Sequence, residues 1–235
     1  MKLVKGRTLQ AILKELGDGD AQTQKNHTLN HLLTIFRKVC DGMAFAHSRG
    51  IIHRDLKPEN IMVGEFGEVL VMDWGLAKFL ADGGELMADG RNTENPKLPS
   101  AISHQLSATL EGSIMGTPQY MSPEQAEGRI NELDARSDIY SLGGILYTIL
   151  TLRPPIDGKT VDEVLRKVTS GQITPLNVGV ASSRPQKIKA AGRSLLFAIP
   201  EALAAVTMQA LCVKREQRYQ TIADLVADLE AYQTG

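Results

Sequence analysis

The 235 residues are 43% apolar and carry 26 Lys and Arg against 27 Asp and Glu. That is enough apolar material for at least one sizeable core, with no net field to draw the chain to nucleic acid or to an acidic membrane surface. Cys40 and Cys212 stand far apart and outside any metal-ligand spacing, which argues against a disulfide framework or zinc site and for two buried, reduced thiols.

The predicted elements begin with Leu29, Leu32, Phe36, Val39, Met43 and Ala46, which step by three and four and mark one long helix ended by Gly50. Two short apolar runs, 61–63 and 68–72, flank Gly64-Glu65-Phe66-Gly67 and predict a small β-hairpin. Between helix and hairpin lies a loop reading His53-Arg54-Asp55-Leu56-Lys57-Pro58-Glu59-Asn60. Residues 80–113 hold no period and predict a long loop. Helical stretches are predicted at 124–126, 138–151, 161–168, 200–213 and 222–232, the last opened by a capping box of Thr221 and Asp224. Residues 184–193 read as a basic connecting loop, and no internal repeat is present. The longest apolar stretch, 143–152, is far below the ~20 residues of a spanning helix, and the N-terminus lacks a basic-then-apolar leader, so a cytoplasmic location is expected.

The chemistry gathers at the loop and hairpin. Asp55, Asn60 and Asp73 are hard oxygen donors at a loop and a strand end, a set that suits Mg²⁺, which takes one or two protein carboxylates and completes its shell with water and phosphate oxygens. Lys57 adds a point charge for a phosphoryl group. Asp55 is placed to accept a proton from an attacking hydroxyl, while Asn60 and Asp73 hold the metal. Phosphoryl transfer is the reaction class these residues predict.

At the same residues the chain resembles the eukaryotic-type serine/threonine protein kinases, in the spelling of their bacterial branch (VMDWGLAK, SPEQA). His53-Arg54-Asp55 resembles the catalytic-loop triplet, and Asp73-Trp74-Gly75 the metal-binding triplet with Trp in place of Phe. Residues 116–124 resemble the substrate-binding segment, and residues 137–143 the start of the buried central helix. The resemblance implies a mainly α fold, a kinase-like large C-terminal lobe with a small β-hairpin at the catalytic loop. It implies Asp55, Lys57 and Thr117 as catalytic residues, with Thr117 touching Asp55 and Lys57, and Asn60 and Asp73 as metal ligands. ATP would be held by Lys2, Leu3, Val4, Lys57, Asn60, Met62 and Asp73. It further implies Asp138 accepting hydrogen bonds from the catalytic-loop backbone, Arg218 pairing with Glu124, and Arg54 docking a phosphorylated loop residue, Thr109 before Ser107 or Ser113.

On this reading residues 1–7 form the hinge, 8–72 two helices with the catalytic loop and hairpin, 73–124 the metal motif with a long activation and substrate segment, and 125–235 the helical remainder. The family's glycine-rich loop and its β3 lysine are spelled nowhere in the 235 residues, so the expectation is a kinase domain without its N-terminal lobe. The expected partners are ATP, Mg²⁺ and a protein bearing a Ser or Thr acceptor, with an N-lobe or regulatory partner supplied elsewhere and no nucleic acid or membrane contact. Alternatives are a catalytically silent interaction module and, third, a small-molecule phosphotransferase. Taken singly, each motif reads as a turn or helix cap; four in the family's order, at intact spacing, do not.

Overall fold

The computed structural model describes residues 6–79, 118–176, 188–190, 193–195 and 199–234. A short strand, β1 (Gly6–Thr8), runs into α1 (Leu9–Asp18), whose first turn is capped by the Thr8 hydroxyl accepting from the Ala11 N–H at 3.1 Å. Leu9, Ile12, Leu13 and Leu16 form its buried face. The short α2 (Ala21–Asn26) follows, capped by Asp20. The periodicity reading passed over both helices, although Leu9, Ile12, Leu13 and Leu16 of α1 have helical spacing; α2 buries Thr23 alone and carries no apolar signal.

The long predicted helix is α3 (Leu29–Ser48), and Leu32, Phe36, Val39, Met43 and Ala46 are all buried on it. Beyond it come β2 (Ile51–Ile52), β3 (Ile61–Gly64), β4 (Val69–Val71) and β5 (Lys78–Phe79). The predicted hairpin is β3–β4, with Ile61 opposite Val71 and Val63 opposite Val69. It gains a third antiparallel strand, β1, which sets Thr8 opposite Met62. β2 pairs with β5, so the chain entering the catalytic loop lies beside the chain leaving Asp73.

Among the described residues five further helices follow: α4 (Pro123–Ala126), α5 (Ala135–Thr151), α6 (Val161–Thr169), α7 (Glu201–Ala210) and α8 (Ile222–Thr234). α5 is the centre, with every residue from Ser137 to Thr151 buried. A helix can be walled in on all sides only where neighbours approach its axis closely, and two glycines permit this. A Cβ on Gly143 would stand 2.8 Å from the Ala210 Cβ, and one on Gly144 3.0 Å from the Tyr120 ring. Fully burying a large apolar side chain contributes about 1.5–3 kcal/mol, and Phe36, Leu142, Ile145 and Leu203 meet in this one cluster.

Three expectations shift at their edges. α5 begins one turn early, because the polar run Asp134-Ala135-Arg136 hides a helix start in which the Asp134 carboxylate accepts from the Arg136 N–H at 2.8 Å. α7 stops at Ala210 and not at residue 213, because the carbonyls of Cys212 and Val213 turn to the Arg218 guanidinium. The segment read as a basic loop contains an antiparallel pair, β6 (Ile188–Ala190) with β7 (Arg193–Leu195). The Thr221–Asp224 capping box is present, with both reciprocal bonds.

Cys40 is buried as expected, and burial pushes its thiol pKa up and keeps it inert. Cys212 is half-exposed, against expectation, because it follows the end of α7. Among the described residues no helix is long and apolar enough to cross a membrane. The loop expected at 80–113 lies outside the described residues.

Candidate active site

The catalytic loop is held from below by one carboxylate. Asp138, in the first turn of α5 and fully buried, accepts the His53 N–H on Oδ2 and the Arg54 N–H on Oδ1, each at 2.8 Å. The His47 imidazole of α3 donates to Oδ2 at the same distance. Between these anchors Arg54 adopts φ 70°, a left-handed conformation that costs a non-glycine residue roughly 1–2 kcal/mol. It persists because both its peptide groups are fixed: its N–H by Asp138 and its C=O by the Gln125 amide, which donates at 2.7 Å. An Asp138→Asn change replaces an acceptor with an N–H₂ facing donors. It is expected to cost about 1–3 kcal/mol and to lower the thermal unfolding midpoint by about 2–4 °C per kcal/mol lost.

The strained residue delivers Asp55. The Lys57 ammonium donates to its Oδ2 at 2.7 Å, and the Asn60 amide donates to the same oxygen at 3.1 Å and to the Asp55 carbonyl at 2.8 Å. Lys57 leads into a 3₁₀ turn, Pro58–Asn60, where proline's fixed φ suits the first position. Oδ1 of Asp55 accepts no hydrogen bond from any described residue. Among the described residues, the carboxylate is therefore pinned through one oxygen and unengaged at the other.

Asp73 is brought alongside through its neighbour. The Met72 N–H donates to the Asn60 carbonyl at 2.8 Å, and the Met72 carbonyl accepts from His53 Nε2 at 2.9 Å. Since a carbonyl only accepts, His53 carries its proton on Nε2, which leaves Nδ1 to accept the Asp55 N–H at 3.3 Å. Asp73 is exposed, with φ 59°. Arg54 reaches the same stretch, its Nε donating to the Leu76 carbonyl.

Trp74 closes this arrangement. Its ring lies against His53 with centroids 4.6 Å apart, and its indole N–H donates to the Val71 carbonyl at 2.9 Å. A phenylalanine would keep the ring contact and lose the bond. Trp74→Phe is expected to cost about 0.5–1.5 kcal/mol locally, read as faster amide exchange over residues 72–76 with a nearly unchanged melting midpoint.

On the far side, Glu124 and Arg218 form a buried bidentate pair with both N···O distances 2.8 Å. Burial alone would raise the Glu124 pKa. The Arg218 guanidinium and the Ser137 hydroxyl, at 2.7 Å, outweigh it and hold the carboxyl at about 2.

Asp55, Lys57 and Asn60 thus meet directly, with Asp73 one residue from a shared anchor. Met62 lies half-buried on β3 between Thr8 and Leu70. Lys2, Leu3, Val4 and Thr117, and Ser107, Thr109 and Ser113 of the expected phosphorylation, lie outside the described residues. Sequence reading missed His47, Gln125 and the indole bond of Trp74. Gln125 had a signal, since Ser122-Pro-Glu-Gln spells a capping box, which the structure contains; His47 had none.

Among the described residues no three His, Cys, Asp or Glu side chains cluster closely enough to hold a metal by themselves. A Mg²⁺ site needs only one or two protein carboxylates and takes the rest from phosphate and water, so it requires no such cluster. Asn60 spends its amide nitrogen on Asp55, and no described residue donates to its side-chain oxygen. Asp73 offers an exposed carboxylate whose Oδ1 would stand 3.3 Å from a Cβ on Gly75, so a side chain there would crowd it. These donors fit the ion.

Comparison with known proteins agrees with this geometry. The protein kinase domain family matches residues 1–228. The chain is 36% identical over 244 residues to the serine/threonine-protein kinase PknD of Protochlamydia amoebophila, covering all of this chain and 22% of that protein. It is 33% identical over 238 residues to PknD of Chlamydia pneumoniae (all of this chain, 23% of that protein). It is 34% identical over 235 residues to the serine/threonine-protein kinase PknB of Mycobacterium tuberculosis (all of this chain, 30% of that protein). The chain therefore spans less than a third of these relatives' lengths. With a family match over residues 1–228, nearly its whole length, the chain belongs to the protein kinase domain family.

Proposed function

We propose that this domain transfers the γ-phosphoryl group of ATP to a serine or threonine hydroxyl of a protein substrate. The observation that carries the reading is the state of Asp55: Lys57 and Asn60 fix Oδ2, and no described residue donates to Oδ1, the oxygen that would receive an incoming hydroxyl's proton. As the substrate oxygen bonds to phosphorus and ADP departs, the hydroxyl proton passes to Asp55. Lys57 places its charge beside the same carboxylate, where negative charge on the transferred group needs compensation. Asn60 and Asp73 would hold Mg²⁺, which when bound neutralises charge on the phosphates. Met62, with the backbone of Lys2, Leu3 and Val4, would floor and edge the adenine pocket, and Thr117 would bridge Asp55 and Lys57.

Serine and threonine acceptors are favoured over tyrosine by Lys57 in its Asp55-Leu56-Lys57 context and by the printed names of the relatives. The reading also requires a cover for the ATP phosphates. No Gly-x-Gly-x-x-Gly and no Val-Ala-Ile-Lys-like run occurs in these 235 residues, so that cover is to be supplied from outside them. The test is Asp55-dependent incorporation of labelled phosphate from ATP into a generic basic protein by the full-length protein. Equal signal from the Asp55→Asn protein overturns the reading.

A further inference from the structure

Gln125 sits where two unrelated requirements meet. Its Oε1 accepts the Ser122 N–H at 3.1 Å and the Ser122 hydroxyl at 3.0 Å, closing the capping box that starts α4. Its N–H₂ crosses 71 positions of sequence to donate to the Arg54 carbonyl at 2.7 Å. A capping box needs only the first set, and Glu serves there as well as Gln. The second bond has no part in capping.

That second bond falls on the peptide joining Arg54 to Asp55. Arg54 holds φ 70°, which an arginine adopts only when its surroundings enforce it. Asp138 enforces it from the N–H side, through Oδ1 at 2.8 Å. On the carbonyl side Gln125 is the group that does so among the described residues. Without it, among the described residues the plane of this peptide is held only by the long 3.3 Å bond from the Asp55 N–H to His53 Nδ1, and any rotation it undergoes strains the bonds from Lys57 and Asn60 that aim the Asp55 carboxylate. Catalytic groups must stay within about 0.5 Å and 10–20° of their working geometry, and misplacement near 1 Å costs on the order of a hundredfold in rate.

We infer that Gln125 is a positioning residue for Asp55, coupling the start of α4 at Ser122 to the catalytic loop through the Arg54 carbonyl. The inference rests on the kinase reading for its effect on rate, and on geometry alone for its effect on the loop. It explains why the amide is present where a carboxylate would cap as well: only the amide offers an acceptor to Ser122 and a donor to Arg54 at once.

Gln125→Glu separates the two roles. The carboxylate keeps the cap, cannot donate to Arg54, and sets negative charge against its carbonyl. In the full-length protein, Gln125→Glu is expected to melt a few degrees below the wild type, because a carboxylate then faces the Arg54 carbonyl, and to lower kcat about tenfold at unchanged KM for ATP. Amide exchange over residues 53–56 should quicken without change elsewhere. Gln125→Ala should lose the cap too and melt earlier. A Gln125→Glu protein with kcat within twofold of wild type and unchanged exchange at 53–56 overturns the inference. If the wild type shows no Asp55-dependent transfer, the kinase reading fails by itself, and the exchange comparison still decides whether Gln125 holds the loop.

Discussion

Replacing Asp55 by Asn is expected to abolish most phosphoryl transfer while leaving the fold intact. The change is isosteric, and an asparagine carbonyl still accepts from Lys57 and Asn60, so the bonds that pin Oδ2 have a replacement. What is lost is the proton acceptor and its charge. A positioned general base contributes about 10² to 10⁴ in rate, so initial rates with saturating ATP and Mg²⁺ should fall by that factor, with the melting midpoint shifted little. A rate within threefold of wild type would show that Asp55 is not the base.

Removing the Glu124 carboxylate is expected to give the largest loss of stability. In Glu124→Ala the Arg218 guanidinium, 0% exposed, keeps its bonds to the carbonyls of Cys212, Val213 and Arg136 but loses its counter-charge. An uncompensated buried charge of this kind costs about 3–5 kcal/mol, or about 6–20 °C in melting midpoint for a chain of this size. The pH dependence has a definite sign. The Glu124 pKa is depressed from an ordinary 4.5 to about 2, so its contribution is complete above about 4.5 and is lost as pH falls through 2. Wild-type stability should therefore decline over that acid window more steeply than that of Glu124→Ala; parallel curves would refute the assignment.

Much of the site was legible in the sequence because its chemistry sits in contiguous words. Asp55, Lys57 and Asn60 lie within six positions, and their mutual bonds follow from one turn opened by Pro58. The α3 stripe and the β3–β4 hairpin were legible for the same reason, since each pattern is local. What the sequence hid is what tertiary structure joins. β1 is three residues with no period of its own and becomes a strand because β3 lies beside it. His47 looks like one more polar position near a helix end and acquires meaning only when Asp138 arrives from 91 positions away. The cap that Ser122 and Gln125 spell went unread, and Gln125's second bond depends on where Arg54's carbonyl points. The polar start of α5 carried no apolar signal, and a two-stranded pair at 188–195 was masked by the lysines and arginines around it.

The reach of these hydrogen bonds bears on how the molecule comes to be folded. His53 and Arg54 meet Asp138 across 85 and 84 positions, and Glu124 meets Arg218 across 94. Loops of that length must close before any of these contacts repays the entropy of closing them. The catalytic geometry therefore cannot ripen gradually with the helix and hairpin that precede it in the chain; it arrives when α5 docks. A nascent or clipped chain ending before Asp138 would contain the whole of the catalytic loop and the metal triplet, yet lack the carboxylate that gives the loop its shape.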